Sequence, residues 1–460
     1  MADSFSILEK TKLPVVPLQL VAASDYENWR KKQLPSTQRW LEANQFTAAA
    51  GSFCLIPGKG GALEAVACGI DETPSLWSIA HLPGKLPAGV YQLESEVSLA
   101  LANELALGWA LGSYQFAEFR QSRKKFAQLL VRRGMNMPML RTFAESIFWA
   151  RDLINRPANI LTPQTLAEEA VAFGEKHKAK IRVIEGEALL KANYPMIYTV
   201  GKASETPPRL VEMRFARKGA PKVALVGKAV TFDSGGLDIK TASGMKMMKK
   251  DMGGAASILA LARMIVETGL KVDLRVLLPM VENAVGGNAM RPLDIVKTRK
   301  GITVEIGNTD AEGRLILCDA LYEADSENPD LLIDFATLTG AARVALGTDI
   351  PAFFTPNDAL ADALSRHSRQ AHDPLWRLPL WAGYRGMLET QNADLSNDPE
   401  SSYAGAITAA LYLQEFVSKT PSWLHVDMMA WNNSAKPGRP QGGEAMAVRA
   451  VYALLRDYYG

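Results

Sequence analysis

Strand-like and helix-like segments alternate along the chain from about residue 160 to its end. Short apolar runs predict strands and longer amphipathic runs predict helices, and their alternation is typical of a layered α/β domain with a largely parallel sheet. The predicted strands are Lys180–Ile184, Met196–Val200, Arg209–Phe215, Lys222–Lys228, Val272–Met280, Leu331–Ala336 and Trp423–Met429. The predicted helices are Met252–Glu267, Leu315–Asp325, Ala359–Gln370, Ala404–Ser418 and Gly443–Tyr458.

The length of 460 residues exceeds what one hydrophobic core usually organises, which indicates two domains. We therefore predict an α/β fold with a small N-terminal α/β domain over residues 1–140, a connecting helix over 141–158, and a larger C-terminal α/β domain over 159–460. The larger domain is expected to contain a mixed, mostly parallel sheet flanked by helices. The N-terminal domain is expected to serve assembly or regulation.

The composition is ordinary for a globular protein, with 48% hydrophobic and 22% charged residues. A net charge of +2 does not support binding to nucleic acid or to an acidic membrane surface. Met1–Lys10 lacks the pattern of a signal peptide, and no run of about 18 apolar residues is present, so we expect a cytoplasmic protein without membrane segments. Three cysteines and five histidines lack metal-ligand spacing, which argues against a disulfide framework and a thiolate or histidine zinc motif.

The stretch between Arg120 and Arg133 is strongly basic. Its apolar residues fall at helical spacing, which favours a helix with a solvated basic face over a nucleic-acid patch. Its basic residues are Arg120, Arg123, Lys124, Lys125, Arg132 and Arg133. Nucleic acid is kept as an alternative partner, although the net charge does not support it.

The most informative short segment is Asn308–Arg314, which contains two carboxylates two positions apart. In an extended backbone such side chains point the same way, so Asp310 and Glu312 can converge on one divalent cation. Gly313 permits a close approach of the backbone, and Arg314 is suited to binding an anion. Taken alone, the segment also fits a charged surface turn that contains an Asp–Arg pair.

A second polar cluster follows the predicted strand that ends at Lys228. Asp233 and Lys240 lie in the loop after it, and Asp251 lies at the start of the next predicted helix. Because sites in open α/β sheets form at the carboxyl ends of strands, we expect this cluster to approach Asn308–Arg314. Taken singly, Asp251 also fits a helix N-cap and Lys228 a lysine at the end of a strand.

These two clusters resemble the signature segments of the cytosol (leucyl) aminopeptidase family, whose members are di-metal exopeptidases. Three further segments are similar to that family: Arg151–Pro157, Ala336–Ala341 and Ser402–Ala410. The resemblance covers roughly residues 145–460, so it implies that the larger predicted domain is catalytic. The residues before it resemble the family only in length and placement.

The resemblance implies two divalent metal ions in each subunit, zinc or manganese, with magnesium as an alternative. The tighter ion would be held by Lys228, Asp233, Asp251 and Glu312. The more exchangeable ion would be held by Asp233, Asp310 and Glu312. Lysine can donate a lone pair only after the metal has displaced its proton, and arginine could not be neutralised in this way.

The resemblance also implies a mechanism, in which a metal-bridging hydroxide attacks the scissile carbonyl of a peptide bound by its free amine. Lys240 would stabilise the tetrahedral oxyanion, and Arg314 would hold a bicarbonate ion that moves the proton. Met248, Thr337 and Gly340 would line the pocket for the first side chain. A methionine there predicts an apolar preference, such as leucine.

Two features depart from the usual family pattern. Lys246 and Lys250 add positive charge before Asp251, which predicts weaker metal binding or a preference for acidic substrates. The stretch 432–443 also differs, so the side-chain preference is the expectation that transfers least from the family. A dipeptidase on the same site, acting for instance on Cys-Gly, and a DNA-binding or scaffold protein that uses the basic stretch Arg120–Arg133 are kept as alternatives. The resemblance further implies a homohexamer built as a dimer of trimers, with peptides as substrates.

Overall fold

The computed structural model describes residues 5–120, 124–420 and 422–460. The chain divides into two compact units, and the second unit is the larger. The first consists of Met1–Phe148 and Ser434–Gln441, and the second of Trp149–Asn433 and Gly442–Gly460. The predicted two-domain α/β fold is confirmed. The domain bounds given above, and the role of the N-terminal domain, stay predictions.

A six-stranded sheet organises the first unit. Its strands are β1 (Ile7–Leu8), β2 (Val15–Ala22), β3 (Phe53–Pro57), β4 (Leu63–Ile70), β5 (Val90–Leu93) and β6 (Gln128–Leu130). The helices that begin in this unit are α1 (Tyr26–Lys31), α2 (Pro35–Ala43), α3 (Leu99–Gly112) and α4 (Met137–Asn155). The strands lie in the order β1-β6-β5-β2-β4-β3, and all neighbours are parallel except the hairpin β3–β4.

The predicted basic helix over Arg120–Arg133 is wrong for the described residues. Part of it forms β6, which pairs in parallel with β1 and β5, and the described residues on either side are not helical. Leu129 is buried because β6 lies inside this sheet. Its burial therefore comes from a strand and not from one face of a helix. Arg123 lies outside the described residues.

A mixed sheet organises the second unit. Its strands are β7 (Lys180–Glu185), β8 (Arg209–Phe215), β9 (Lys222–Gly227), β10 (Ala229–Asp233), β11 (Asp273–Asn283), β14 (Leu331–Ala336), β15 (Ala352–Phe354), β16 (Trp376–Arg377) and β18 (Trp423–Asp427). Smaller ladders contain β12 (Ile295–Lys297), β13 (Thr303–Glu305), β17 (Leu395–Ser396), β19 (Trp431–Asn432) and β20 (Gly442–Gly443). The sheet order is β16-β15-β18-β14-β9-β11-β8-β7, with β10 beside β11. The central strands β18, β14, β9 and β11 are parallel neighbours, as the alternating sequence predicts.

Helices accompany this sheet through most of the second unit. They are α5 (Pro163–Lys176), α6 (Ala188–Lys191), α7 (Pro195–Gly201), α8 (Ala242–Met245), α9 (Gly253–Thr268), α10 (Glu312–Ser326), α11 (Gly340–Leu346), α12 (Asp358–Gln370), α13 (Gly405–Gln414) and α14 (Val448–Tyr459). The predicted strand Met196–Val200 is wrong, because these residues belong to α7. Pro195 starts that helix and the buried carboxylate of Asp319 accepts the N–H of Met196. None of the helices in the described part of the chain combines the length and apolar character needed to span a membrane.

Candidate metal centre

The polar clusters meet at one edge of the large sheet. Lys228 directly follows β9 and Thr337 directly follows β14, which is the parallel neighbour of β9. Asp233 is the last residue of β10, which runs parallel to β11. Because parallel strands bring their carboxyl ends to the same edge, these three residues lie where a site is expected in an α/β sheet.

The Asn308–Arg314 segment is a turn followed by a helix, so the extended backbone assumed above is wrong. Asp310 lies in the turn, and Glu312 is the first residue of α10. The carboxylates nevertheless lie together, since one oxygen each from Asp233, Asp310 and Glu312 lie within 4.8 Å of one another. Glu312 is only 1% exposed, so the alternative of a charged surface turn is wrong for this residue.

Lys228 occupies the enclosed end of this cluster. Its Nζ lies 2.7 Å from Oδ2 of Asp251 and 2.8 Å from Oε1 of Glu312. It also donates a hydrogen bond of 3.1 Å to the carbonyl oxygen of Thr337. Burial opposes the charge of Lys228, but the carboxylates of Asp251, Glu312 and Asp233 outweigh it and raise the pKa of the ammonium.

Gly313 is required by this packing. A Cβ at this position would lie 2.5 Å from Cε of Lys228 and 2.7 Å from its Nζ, closer than real side chains approach. The glycine therefore lets the start of α10 pass directly over the lysine. Gly313 is therefore needed because a side chain would collide with Lys228, and not because the backbone adopts an unusual conformation.

Lys240 occupies the more open end of the cluster. Its Nζ lies 2.8 Å from Oδ2 of Asp233 and also forms an ion pair with Asp310. Asp233 is held in turn by its other oxygen, which accepts hydrogen bonds from Nδ2 of Asn283 at 2.8 Å and from the N–H of Gly235 at 2.9 Å. The amide of Asn283 also donates to the carbonyl of Thr309 at 3.1 Å, so it joins the two clusters.

Asp251 is buried beside Lys228 and does not cap a helix with its side chain. It lies in a 3₁₀ helix, Met248–Met252, and the N-cap of α9 is Met252. Its Oδ1 accepts a hydrogen bond of 2.8 Å from the hydroxyl of Thr337. The N-cap alternative is therefore wrong, and the carboxylate of Asp251 instead contacts Lys228 and Thr337.

The donor set fits divalent cations. Four carboxylates share two ammonium groups, because Lys228 lies against Asp251 and Glu312, and Lys240 lies against Asp233 and Asp310. Burial, and then the charge of Asp233, raise the pKa values of Glu312 and Asp310. Carboxylates that lie this close and are this dehydrated are stabilised by positive charge, and oxygen ligands suit divalent ions.

Arg314 and the acidic segment are held by Asn397, a residue that the sequence analysis did not identify. Nη1 of Arg314 donates to the carbonyl of Asn397 at 2.7 Å. The side-chain Oδ1 of Asn397 accepts the N–H of Gly307 at 2.7 Å, and its Nδ2 donates to the carbonyl of Asn308 at 2.8 Å and of Ala311 at 3.2 Å. A neutral asparagine more than 80 positions away in the sequence gives no signal that could have identified it.

The segment after β14 is held by Asp427, which the sequence analysis also missed. Its carboxylate accepts hydrogen bonds from the N–H of Leu338 at 2.9 Å and from the hydroxyl of Thr339 at 2.6 Å. These bonds fix the stretch between Thr337, which is buried, and Gly340, which is exposed. Met248, the third residue expected in the first-side-chain pocket, is half-buried in the 3₁₀ helix Met248–Met252.

The sequence matches two domains of one peptidase family. Residues 148–452 match the catalytic domain of the cytosol aminopeptidase family. Residues 16–132 match the N-terminal domain of M17 aminopeptidases. A protein of Rhodococcus erythropolis named "Probable cytosol aminopeptidase" is 38% identical over 390 residues, which are 80% of this chain and 77% of the relative.

Solved structures agree with these sequence matches. The cytosol aminopeptidase from Coxiella burnetii superposes with a TM-score of 0.96 and 45% identity, covering 100% of both chains. The bottromycin maturation enzyme BotP, solved in complex with Mn, superposes with a TM-score of 0.87 and 32% identity, covering 96% of this chain and 99% of BotP. The similarity therefore extends over both units of the fold.

Proposed function

This chain belongs to the cytosol aminopeptidase family, and we propose that it is a metal-dependent aminopeptidase that releases N-terminal residues from peptides. The observation that carries the proposal is the largely buried cluster of Asp233, Asp251, Asp310 and Glu312, in which four carboxylates share only two lysine ammonium groups. Such a cluster is costly to bury unless cations complete it.

Two divalent ions would be held by the residues named from the family resemblance. Lys228, Asp233, Asp251 and Glu312 would hold the tighter ion, and Asp233, Asp310 and Glu312 the more exchangeable one. Zinc, manganese and magnesium all suit such donors, and the similarity to the Mn complex of BotP supports manganese. Because its carboxylate neighbours raise the pKa of Lys228, the ion would have to displace the ammonium proton before the lysine could bind it.

When bound, the ions would polarise the scissile carbonyl and activate water for its hydrolysis. Lys240 would place its ammonium beside the oxygen that becomes negative, since it lies at the open end of the cluster and is only partly buried. Asp233 and Asp310 orient that ammonium in the protein without substrate. This arrangement gives Lys240 an electrostatic role and does not require a side-chain general base.

Arg314 would bind a bicarbonate ion that carries the proton between water and the leaving amine. The support is local: the guanidinium is buried, one nitrogen is oriented by Asn397, and Nε has no hydrogen-bond acceptor among the described residues. A planar cation with a free donor suits a small oxyanion. Met248, Thr337 and Gly340 would line the pocket for the first side chain, with leucine as one accepted residue.

We also propose a cytoplasmic location and a homohexamer built as a dimer of trimers. The location is supported by the names of the relatives, which are cytosol aminopeptidases. The assembly is proposed from family membership alone. Light scattering of the purified protein would test it, and a mass near that of a single 50.1 kDa chain would contradict it.

The first experiment is hydrolysis of leucine p-nitroanilide by protein that has been stripped of metal and then titrated with Mn²⁺ or Zn²⁺. We expect activity to be lost on stripping and restored by metal. The double variant Asp310→Asn/Glu312→Gln should stay inactive at every metal concentration. The matched control is Glu205→Gln, which changes an exposed carboxylate and should behave as the wild type. Activity that survives metal removal and the double variant would contradict the proposal.

A further inference from the structure

Two cationic side chains near the candidate metal centre, Lys250 and Arg343, form no ion pair with any residue that the structure describes. Lys250 precedes Asp251 in the 3₁₀ helix Met248–Met252 and is only 2% exposed. Its ammonium donates no hydrogen bond to any residue in the described ranges. Arg343 lies in α11, and its Nη1 is buried without an acceptor among those same residues.

The charges around Lys250 do not explain its burial. The two nearby carboxylates are already used, because Asp427 accepts the hydroxyl of Thr339 and Asp251 lies against Lys228. Buried ammonium groups are normally paired, so a buried lysine and a buried guanidinium nitrogen that both lack an acceptor among the described residues indicate a missing anion.

Both cations extend from the segments that would form the pocket for the first side chain. Lys250 lies two residues after Met248 in the same short helix. Arg343 lies one helical turn after Gly340, and its Nη2 would be 3.9 Å from a Cβ built on that glycine. The guanidinium therefore folds back over the exposed start of α11, beside the pocket.

We propose that Lys250 and Arg343 form an anion-binding end of this pocket, and that its ligand is the side-chain carboxylate of an N-terminal glutamate or aspartate. The inference rests on the proposed aminopeptidase function and names a substrate class for it. The guanidinium offers paired donors that match a carboxylate, and the ammonium adds a point charge. Met248 supplies an apolar wall for the methylene groups of the same side chain.

The test compares substrates of one shape and different charge. Wild-type protein loaded with Mn²⁺ is assayed on glutamyl, glutaminyl and leucyl p-nitroanilide. We expect kcat/KM for the glutamyl substrate to exceed that for the glutaminyl substrate by about tenfold or more, the size typical of a hydrogen bond between charged groups. Leucyl p-nitroanilide reports whether the enzyme is active at all.

The variants Lys250→Met and Arg343→Met should each lower the glutamyl-to-glutaminyl ratio by about tenfold. The ratio is measured within one protein, so a loss of folded enzyme cancels, and the second variant serves if the first does not fold. The matched control is Lys218→Met, which removes an exposed lysine from the turn after β8 and should leave the ratio within about twofold.

Equal rates on the glutamyl and glutaminyl substrates, with leucine released normally, would overturn the inference. A ratio that neither variant changes would overturn it as well. A free oxyanion is the competing ligand: added sulfate would then change the rate of leucine release in the wild type and not in Lys250→Met, without a glutamyl preference. Failure to hydrolyse any of the three substrates would instead overturn the aminopeptidase function, and this pocket with it.

Discussion

The two lysines of the metal centre differ in how completely the protein encloses them. The side chain of Lys228 is 3% exposed, and its partners Asp251 and Glu312 are 4% and 1% exposed. The side chain of Lys240 is 15% exposed, and its partner Asp310 is 32% exposed. Each lysine forms ion pairs with two carboxylates. The two lysines therefore differ in solvent exposure and not in the kind of residue that pairs with them.

We propose that this difference suits the two ends of the cluster to different tasks. A charge that is enclosed on all sides exchanges partners only if the surrounding structure opens. The Lys228 end would therefore hold an ion permanently. The Lys240 end would exchange an ion and present an ammonium to substrate, because Asp310 and Lys240 reach solvent. The predictions below test this contrast, in order of decreasing effect.

The largest effect is expected for Lys228→Arg. The enclosed end has no room for a larger group, and a guanidinium cannot lose its proton to become a ligand. Disrupting a buried charge cluster typically costs about 3–5 kcal/mol, and a loss of that size in transition-state stabilisation would lower turnover of leucine p-nitroanilide by about two hundredfold to about five thousandfold. Metal content measured by atomic emission should fall with it. The matched variant Lys240→Arg should lose much less, and equal losses at both lysines would remove the contrast.

A smaller effect is expected for Lys240→Ala. Loss of one preorganised electrostatic donor typically costs about 3 kcal/mol, which corresponds to roughly a hundredfold in kcat. Bound metal should be retained, because the enclosed end is unchanged. Lys246→Ala is the control, since that lysine is exposed in the same region. Near-normal turnover in Lys240→Ala would contradict the role given to this ammonium.

The next effect concerns Asn283, which orients Asp233 from behind. Replacing it by alanine leaves the ligand without one of its two neutral donors and frees the carbonyl of Thr309. Loss of such a supporting residue typically weakens metal binding by about tenfold to a hundredfold. Isothermal titration of the stripped protein should show weaker binding of both ions, because Asp233 is proposed to hold both. Asn288→Ala, which removes an amide exposed on the surface, is the control.

The smallest effect is expected for Gly313→Ala, which tests the enclosure itself. The new methyl group would press on Lys228, and overpacking of this kind typically costs about 2 kcal/mol in the free energy of unfolding. The control is Gly287→Ala, because a Cβ there meets nothing within 4 Å. Denaturant unfolding of both variants measures the difference. Equal stabilities would mean that the space around Lys228 is less restricted than described.

Much of the fold follows from sequence periodicity. The parallel strands β9, β11, β14 and β18 were predicted because each is a short apolar run bounded by polar or glycine-containing turns. Periodicity failed at Met196–Val200, where nearly every residue is buried, so a short helix and a strand have the same apolar pattern. It also failed at β6, because three strand residues are too few to outweigh the apparent helical spacing around them.

The candidate site was partly accessible from the sequence for a different reason. Its charged residues are unusual in their spacing, and the strand ends that carry Lys228 and Asp233 indicate a common edge. The backbone of the Asn308–Arg314 segment was not accessible, because its turn is held by Asn397 from a distant loop. Asn283 and Asp427 were missed for the same reason: a single amide or carboxylate shows its importance only through its partners.

The division of the chain has a consequence for its synthesis. Ser434–Gln441 belongs to the first unit, where Arg439 lies over the ring of Trp77 and Gly438 packs against the same side chain. A ribosome makes Trp77 long before these residues, because the stretch 149–433 of the second unit lies between them in the sequence. The first unit is therefore completed only after that stretch has been synthesised. A fragment that stops at Phe148 would therefore lack Ser434–Gln441, which belongs to the same unit.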